Sequence, residues 1–218
     1  MLYGFTGLVM SKRMWYDSFI RSIINFIVNF VEGVEISTSR YRKYMEDTRK
    51  NILLSESNIK EKVKELGERI SQDYEGRELL VVGILKGALI FMADLVRNIS
   101  LPITLDFMAV SSYGASTTSS GVVRILRDLE QDIYGKDVLI VEDIIDTGLT
   151  LNYLLANLRS RQPRTLKICS LLDKPTKRVV EVSPDYLGFE IPDLFVIGYG
   201  LDYAEQYRQL PYIAVLKE

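Results

Sequence analysis

Residues 138–141, Val-Leu-Ile-Val, run straight into Glu142 and Asp143 and then into Asp146-Thr147-Gly148-Leu149-Thr150. Four consecutive apolar residues predict a strand buried on both faces, as in a parallel sheet covered by helices. Leu151, Leu154, Leu155 and Leu158 follow at helical spacing, so the chain has to turn from strand to helix around Gly148. Glu142, Asp143 and Asp146 therefore cluster where the strand is expected to end. In an open α/β sheet the crevice outside that end is where ligands bind.

The turn itself has a chemical preference. It collects unpaired backbone N–H groups at the positive end of a helix dipole, and with the hydroxyls of Thr147 and Thr150 these form a cradle for a phosphate monoester. Gly148 lets the backbone approach closely. The acidic pair before the cradle repels phosphate and suits sugar hydroxyls or a divalent cation instead. A ribose 5-phosphate satisfies both halves. The same stretch also reads as an acidic loop in which Asp146 or Thr147 only caps the helix. It is not the metal-binding strand of a P-loop ATPase, because the chain holds no G-x-x-x-x-G-K-[ST].

Composition narrows the chemistry. The 218 residues contain no histidine, which removes Ser-His-Asp and Cys-His catalysis and every metal site that needs imidazole. The single cysteine, Cys169, sits in an apolar run and is expected to be a buried strand thiol, in keeping with a reducing cytoplasm. A length of 218 residues supports one core, and 47% hydrophobic with 26% charged residues is the balance of a soluble globular protein. A net charge of −2 gives no reason to expect nucleic acid as a partner.

Residues 1–44 differ from the rest, with six Lys or Arg against three Asp or Glu. Within residues 18–31, Arg21, Asn25 and Asn29 recur every four positions and draw a narrow polar stripe on an otherwise apolar helix. The run is too short and interrupted for a membrane span, and no small-residue cleavage site follows it. An interfacial helix is one reading. The preferred one is an extension upstream of the true start, without function, with Met45 as initiator.

Farther on, Ile59, Val63, Leu66 and Ile70 mark an amphipathic packing helix opened by Ser55 and closed near Asp73. Residues 78–85 form the first core strand, followed by Lys86-Gly87 and a helix over 88–98. By itself Lys86-Gly87 is an ordinary strand-to-helix turn. Residues 103–110 are a second strand, and 111–121 are small and polar with nothing to bury, the composition of a mobile loop. It serves either as a hairpin tip or as a lid over a site that must exclude water. A strand returns at 122–126, and another spans 165–172 before Asp173-Lys174-Pro175. Short strands at 186–189, 194–197 and 212–216 lack helices between them. The pattern predicts an α/β fold, a parallel central sheet flanked by helices with a small antiparallel C-terminal hood.

The run apolar-apolar-apolar-apolar-Glu-Asp-Ile-Ile-Asp-Thr-Gly-x-Thr resembles the phosphoribosyl-diphosphate motif of type I phosphoribosyltransferases. Its Glu142-Asp143 and Ile144-Ile145 are similar to the hypoxanthine-guanine branch, and the likeness extends over residues 45–218. The resemblance implies the type I phosphoribosyltransferase fold and transfer of ribose 5-phosphate from phosphoribosyl diphosphate to hypoxanthine or guanine, with magnesium as cofactor. It also implies a homodimer or homotetramer working on small molecules, with no nucleic acid or membrane involved. Carried over residue by residue, Glu142 and Asp143 match contacts to the ribose hydroxyls, directly or through magnesium. Asp146 matches a general base at the purine N7, and Asp146, Thr147, Gly148, Leu149 and Thr150 match the 5-phosphate loop. Leu149 stands where the family often has a charged residue. Lys86 and Gly87 match a pyrophosphate-binding pair, often joined through a non-proline cis peptide, and Ser112-Tyr113 match a pair on the catalytic flexible loop, which favours the lid. Lys174 matches the donor to the purine O6, Phe195 the aromatic that stacks on the base, Val196 a backbone reader of its edge, Asp202 a magnesium contact and Arg208 a pyrophosphate contact.

Read without the resemblance, Phe195 is a core aromatic, Lys174 a surface lysine and Arg208 a solvated charge. Two rival functions stand beside the transferase. A non-catalytic sensor of phosphoribosyl diphosphate keeps the sugar motif and binds DNA through an added N-terminal domain, but the segment before Met45 is short with no evident helix-turn-helix, and a sensor has no need of Lys174, Asp202 and Arg208. A transferase for another base is the enzymatic rival, and Lys174 speaks against adenine.

Overall fold

The computed structural model describes Thr48, residues 51–112 and residues 123–216. In chain order they form β1 (Ile52–Leu54), α1 (Glu56–Asp73), β2 (Leu79–Leu85), α2 (Leu89–Arg97), β3 (Ile103–Ser112), β4 (Val123–Arg127), β5 (Asp137–Ile145), α3 (Leu149–Ser160), β6 (Thr165–Asp173), a 3-10 turn (Pro175–Lys177), β7 (Tyr186–Glu190), β8 (Val196–Ile197) and β9 (Ile213–Val215). Residues 1–44, and all but Ser111 and Ser112 of the loop expected over 111–121, lie outside the described residues.

Period-two alternation along the central strands builds two cores, one on each face of the sheet. Leu79 and Val81 of β2 and Leu139 and Val141 of β5 pack with Ile59, Val63, Leu66 and Ile70 of α1 and with Phe91, Met92 and Leu95 of α2. Their sequence neighbours Leu80, Val82, Val138 and Ile140 face the other way, against Leu151, Leu154, Leu155 and Leu158 of α3. Each such leucine contributes about 1.5–3 kcal/mol relative to exposure, enough to fix α3 although its N-terminus carries no side-chain cap. Ser55 caps α1 as expected, its hydroxyl accepting from the Asn58 N–H at 3.2 Å.

The sheet order is β4-β3-β2-β5-β6-β7. All neighbours are parallel except β3 and β4. After β2 the chain moves outward to β3 and β4, then returns across β2 to lay down β5 on its other side. The order therefore reverses between β2 and β5, and the carboxyl ends of these two strands flank the crevice at the switch point. Lys86-Gly87 follows one of them and Asp146 the other.

Four features differ from the sequence reading. Strand β5 does not stop at Val141 but continues through Glu142 and Asp143 to Ile145, because β6 keeps pairing with it as far as Ile145 opposite Asp173. Residues 186–190 join the parallel sheet beside β6 rather than the hood. The hood is the antiparallel sheet β1-β9-β8, so a strand from the beginning of the domain completes it. Strand β3 also runs two residues past Val110, pairing Ser111 and Ser112 with β4.

Candidate active site

Because β5 stays a strand through its acidic residues, Glu142 and Asp143 fall on opposite faces of the sheet. Glu142 is buried. Asp143 turns toward the hood, and Gly87 lies so close that a Cβ there would collide with its carboxylate. Gly200, with φ +101°, comes as near to the Gly87 carbonyl. The turn after β2, the end of β5 and the loop after β8 thus meet at one point, where only glycine fits at two of the three positions. The Leu85–Lys86 peptide is cis.

A cavity of about 400 Å³ opens beside this junction, lined by Asp143, Asp146, Lys174, Phe195, Val196 and Asp202 together with Ile144, Lys177, Asp193 and Leu201. Lys174 is 6% exposed, held at the end of β6 by its N–H donating to the Ile145 carbonyl at 3.0 Å. It is no surface lysine. Its ammonium stands 3.8 Å from Asp193 Oδ1, which also pairs with Lys177 at 2.9 Å. Phe195 is 55% exposed and meets Tyr203 edge to face at 5.8 Å, so it is an aromatic plate at the cavity rather than part of the core.

Asp146 shows an unfilled valence. Its Oδ1 is buried without a hydrogen-bond partner, while Oδ2 lies 3.9 Å from Lys177 Nζ. The backbone around it is braced from outside: Arg178 donates to the Asp146 carbonyl at 2.7 Å and pairs with buried Asp173. Val179 N–H donates to the Thr147 carbonyl at 3.0 Å. Gly148 takes φ +81°, and α3 begins at Leu149 with no side chain closing its first turn beyond a long contact, 3.4 Å, from Leu149 N–H to Thr147 Oγ1. The N–H groups of Thr147, Gly148 and Thr150 donate to no backbone carbonyl, as is usual at the start of a helix.

Electrostatics separate the carboxylates. Burial, then the charge of Asp143, pushes the Glu142 carboxyl well above its ordinary range. Burial pushes Asp143 up to about 6, against the Ile144 N–H and Arg208. Asp202 is engaged within the protein, Oδ1 with Arg208 at 2.7 Å and Oδ2 accepting from the Glu205 N–H at 2.9 Å. Among the described residues no group of three or more His, Cys, Asp or Glu converges to cage an ion.

Of the residues singled out in the sequence, Asp143, Asp146, Lys174, Phe195, Val196 and Asp202 share the cavity, and Lys86, Gly87 and Arg208 border it through Asp143, Gly200 and Asp202. Glu142 lies on the α3 face. Ser112 ends β3, and Tyr113 lies outside the described residues. Sequence reasoning missed Lys177, Asp193 and Glu205, whose contacts join segments far apart in the chain. Arg178 was missed too, although a cation soon after Lys174 was visible.

Comparison with known proteins gives the arrangement a lineage. A model of the phosphoribosyl transferase domain matches residues 50–204. The chain is 55% identical over 166 residues to the hypoxanthine-guanine phosphoribosyltransferase of Bacillus subtilis (strain 168), a match covering 76% of this chain and 92% of that protein. It is 46% identical over 207 residues to the bifunctional protein TilS/HprT of Listeria monocytogenes EGD-e, which covers 94% of this chain but only 31% of that longer protein, and so reaches into the residues before Met45. Among solved structures, a hypoxanthine phosphoribosyltransferase from Staphylococcus aureus superposes with a TM-score of 0.77 at 49% identity, over 80% of this chain and 95% of that one. A cavity at the switch point of this sheet, a domain model spanning most of the chain and relatives near half identity agree: the chain belongs to the phosphoribosyltransferase family.

Proposed function

We propose that the protein transfers the 5-phosphoribosyl group of phosphoribosyl diphosphate to N9 of hypoxanthine or guanine, giving IMP or GMP and pyrophosphate, in purine salvage in the cytoplasm. The observation that carries this reading is the meeting, in one cavity, of an unpartnered Asp146 carboxylate oxygen, the buried Lys174 ammonium and the exposed Phe195 ring. A flat heterocycle with an acceptor at one edge and a ring proton to lose fits those three groups. Relatives named hypoxanthine-guanine phosphoribosyltransferase support the same choice.

Breaking the anomeric C–O bond builds positive charge on the ribose and negative charge on the departing pyrophosphate. Phe195 stacks on the base and the Val196 backbone reads its edge, holding N9 toward the anomeric carbon. Lys174 donates to O6, drawing electron density toward that edge. Asp146 Oδ1 accepts the ring proton at N7 as the new C–N bond forms. The 5-phosphate rests on the N–H groups of residues 146–150, and the pyrophosphate on Lys86, Gly87 and Arg208. Ser112 and Tyr113 help to exclude water during transfer.

The carboxylates suit magnesium. Burial disfavours the charged form of Glu142 and Asp143, and a divalent cation reverses that preference. Without a three-carboxylate cage among the described residues, the fit would be to an ion that keeps water and substrate oxygens, held by Asp143 and Asp202 singly or through water, while Glu142, on the α3 face, would stand outside that group. When bound it supplies charge neutralisation for the leaving pyrophosphate.

In this reading residues 1–44 are dispensable for the chemistry, and the match of 76% of this chain to 92% of the Bacillus subtilis relative supports it. Assembly as a homodimer or homotetramer belongs to the same reading. Mixing the protein with phosphoribosyl diphosphate, magnesium and hypoxanthine should give IMP and pyrophosphate in equal amounts. Binding of phosphoribosyl diphosphate without turnover of any purine would favour the sensor instead.

A further inference from the structure

Glu205 stands between two cations that border the cavity. Its Oε2 accepts from Lys86 Nζ at 3.0 Å and from Arg208 Nη2 at 3.3 Å, although the side chain is 65% exposed. Arg208 is otherwise fixed by Asp202 at 2.7 Å and by the Gly200 carbonyl at 2.8 Å, yet its Nε is buried with no acceptor. An oriented guanidinium with an orphaned donor, a lysine and the Gly87 turn together describe a place for a polyanion that Glu205 fills only in part. The carboxylate is held there by its backbone: Ala204 and Glu205 take φ +50° and +63° in a tight turn, and the Glu205 N–H is tied to Asp202 Oδ2. Lys86 and Arg208 in turn hold the Glu205 carboxyl below its ordinary range.

We infer that Glu205 is an internal counter-anion that occupies the diphosphate subsite of the ligand-free enzyme and must be displaced by the diphosphate group. The inference rests on the transferase reading above and adds a residue that sets its affinity. A single carboxylate on an exposed chain is displaced readily by a ligand with several oxygens, but every molecule bound is bound against it. The device keeps Lys86 and Arg208 aligned and neutralised while discriminating against monoanions, which gain too little to replace it.

Glu205→Gln keeps the shape and removes the charge. Titration of magnesium pyrophosphate into the full chain should show affinity about threefold to tenfold tighter in the variant, the scale of one or two exposed ion pairs lost from the competing state. The KM for phosphoribosyl diphosphate should fall by a similar factor with kcat changed less, and both differences should shrink in high salt as the ion pairs are screened. Glu205→Ala, without the amide, should show the same direction. Equal or weaker affinity in both variants, with wild-type binding intact, would overturn the inference alone. Failure of wild type and variants alike to bind pyrophosphate would overturn it together with the transferase reading.

Discussion

The two ends of the central sheet carry cavities of similar size and opposite character. At the amino ends of β2, β5 and β6 a cavity of about 340 Å³ is lined by Arg77, Lys136, Asp137 and Arg164, among others. At the carboxyl ends the cavity of about 400 Å³ holds Asp143, Asp146, Lys174 and Asp202. Asp137, with its side chain 0% exposed, is fully satisfied: Arg164 at 3.1 Å, Thr165 Oγ1 at 2.7 Å and Arg77 at 3.6 Å surround it. At the other end Asp146 Oδ1 and Arg208 Nε are buried without partners, and Glu142 and Asp143 are held above their ordinary range. Charge alone therefore does not mark a site. Buried charged groups without a hydrogen-bond partner point to one, because a charged structural cluster closes its own hydrogen bonds while a binding cluster leaves them for the ligand; the neutral Tyr74 hydroxyl near Asp137, also buried without a partner, does not.

The largest effect that can break this contrast is base choice. Adenine presents an amino group where hypoxanthine presents O6, which leaves the buried Lys174 ammonium facing protons, and such a mismatch costs factors on the order of 10⁴. Hypoxanthine and guanine should be turned over, adenine almost not at all, and Lys174→Ala should lose most 6-oxopurine kcat/KM. Comparable kcat/KM for adenine and hypoxanthine would remove Lys174 from its role.

Stability gives the next contrast, in opposite directions at the two ends. Asp137→Ala should lower the folding free energy by about 2–3 kcal/mol, having removed hydrogen bonds to the Arg164 guanidinium and the Thr165 hydroxyl and an ion pair with Arg77, while kcat/KM stays near native. Asp143→Asn should raise the stability of the ligand-free protein by about 1–3 kcal/mol while activity is lost. For Asp143 the folded pKa lies above the unfolded one, so the folded state binds the proton more tightly. The penalty is then absent below about pH 4, grows as pH rises and is complete above about pH 6. Thermal unfolding at pH 7.5 and pH 4 checks both; a gain from Asp143→Asn that persists unchanged at pH 4 would mean that its cause is not ionisation. The smallest effect is expected from truncation. A chain starting at Met45 should keep its kcat/KM, and loss of activity or of the native oligomer would show that residues 1–44 matter.

What the sequence reveals follows the range of the interactions. The leucine period of α3, the Ser55 cap and the buried run of β5 are local patterns, and the structure has all three. The end of β5 was misplaced because Glu142 and Asp143 look like loop residues, whereas pairing with β6 carries the strand past them. Residues 186–190 look like hood because no helix follows them; their place beside β6 is set by tertiary pairing that no window of sequence contains. In the site, residues inside one motif could be read together. Asp193 between Lys174 and Lys177, and Glu205 between Lys86 and Arg208, join turns that only the folded sheet brings together.

The contrast between the two ends is tested most directly by measuring kcat for two isosteric variants in one assay with hypoxanthine, phosphoribosyl diphosphate and magnesium. Asp146→Asn removes the unpartnered acceptor and should lower kcat by about 10²-fold or more while phosphoribosyl diphosphate still binds. Asp137→Asn alters the satisfied cluster and should leave kcat within about twofold of the native value once the protein is folded. Near-native kcat in Asp146→Asn, or equal losses in the two variants, would contradict the assignment of chemistry to the carboxyl edge.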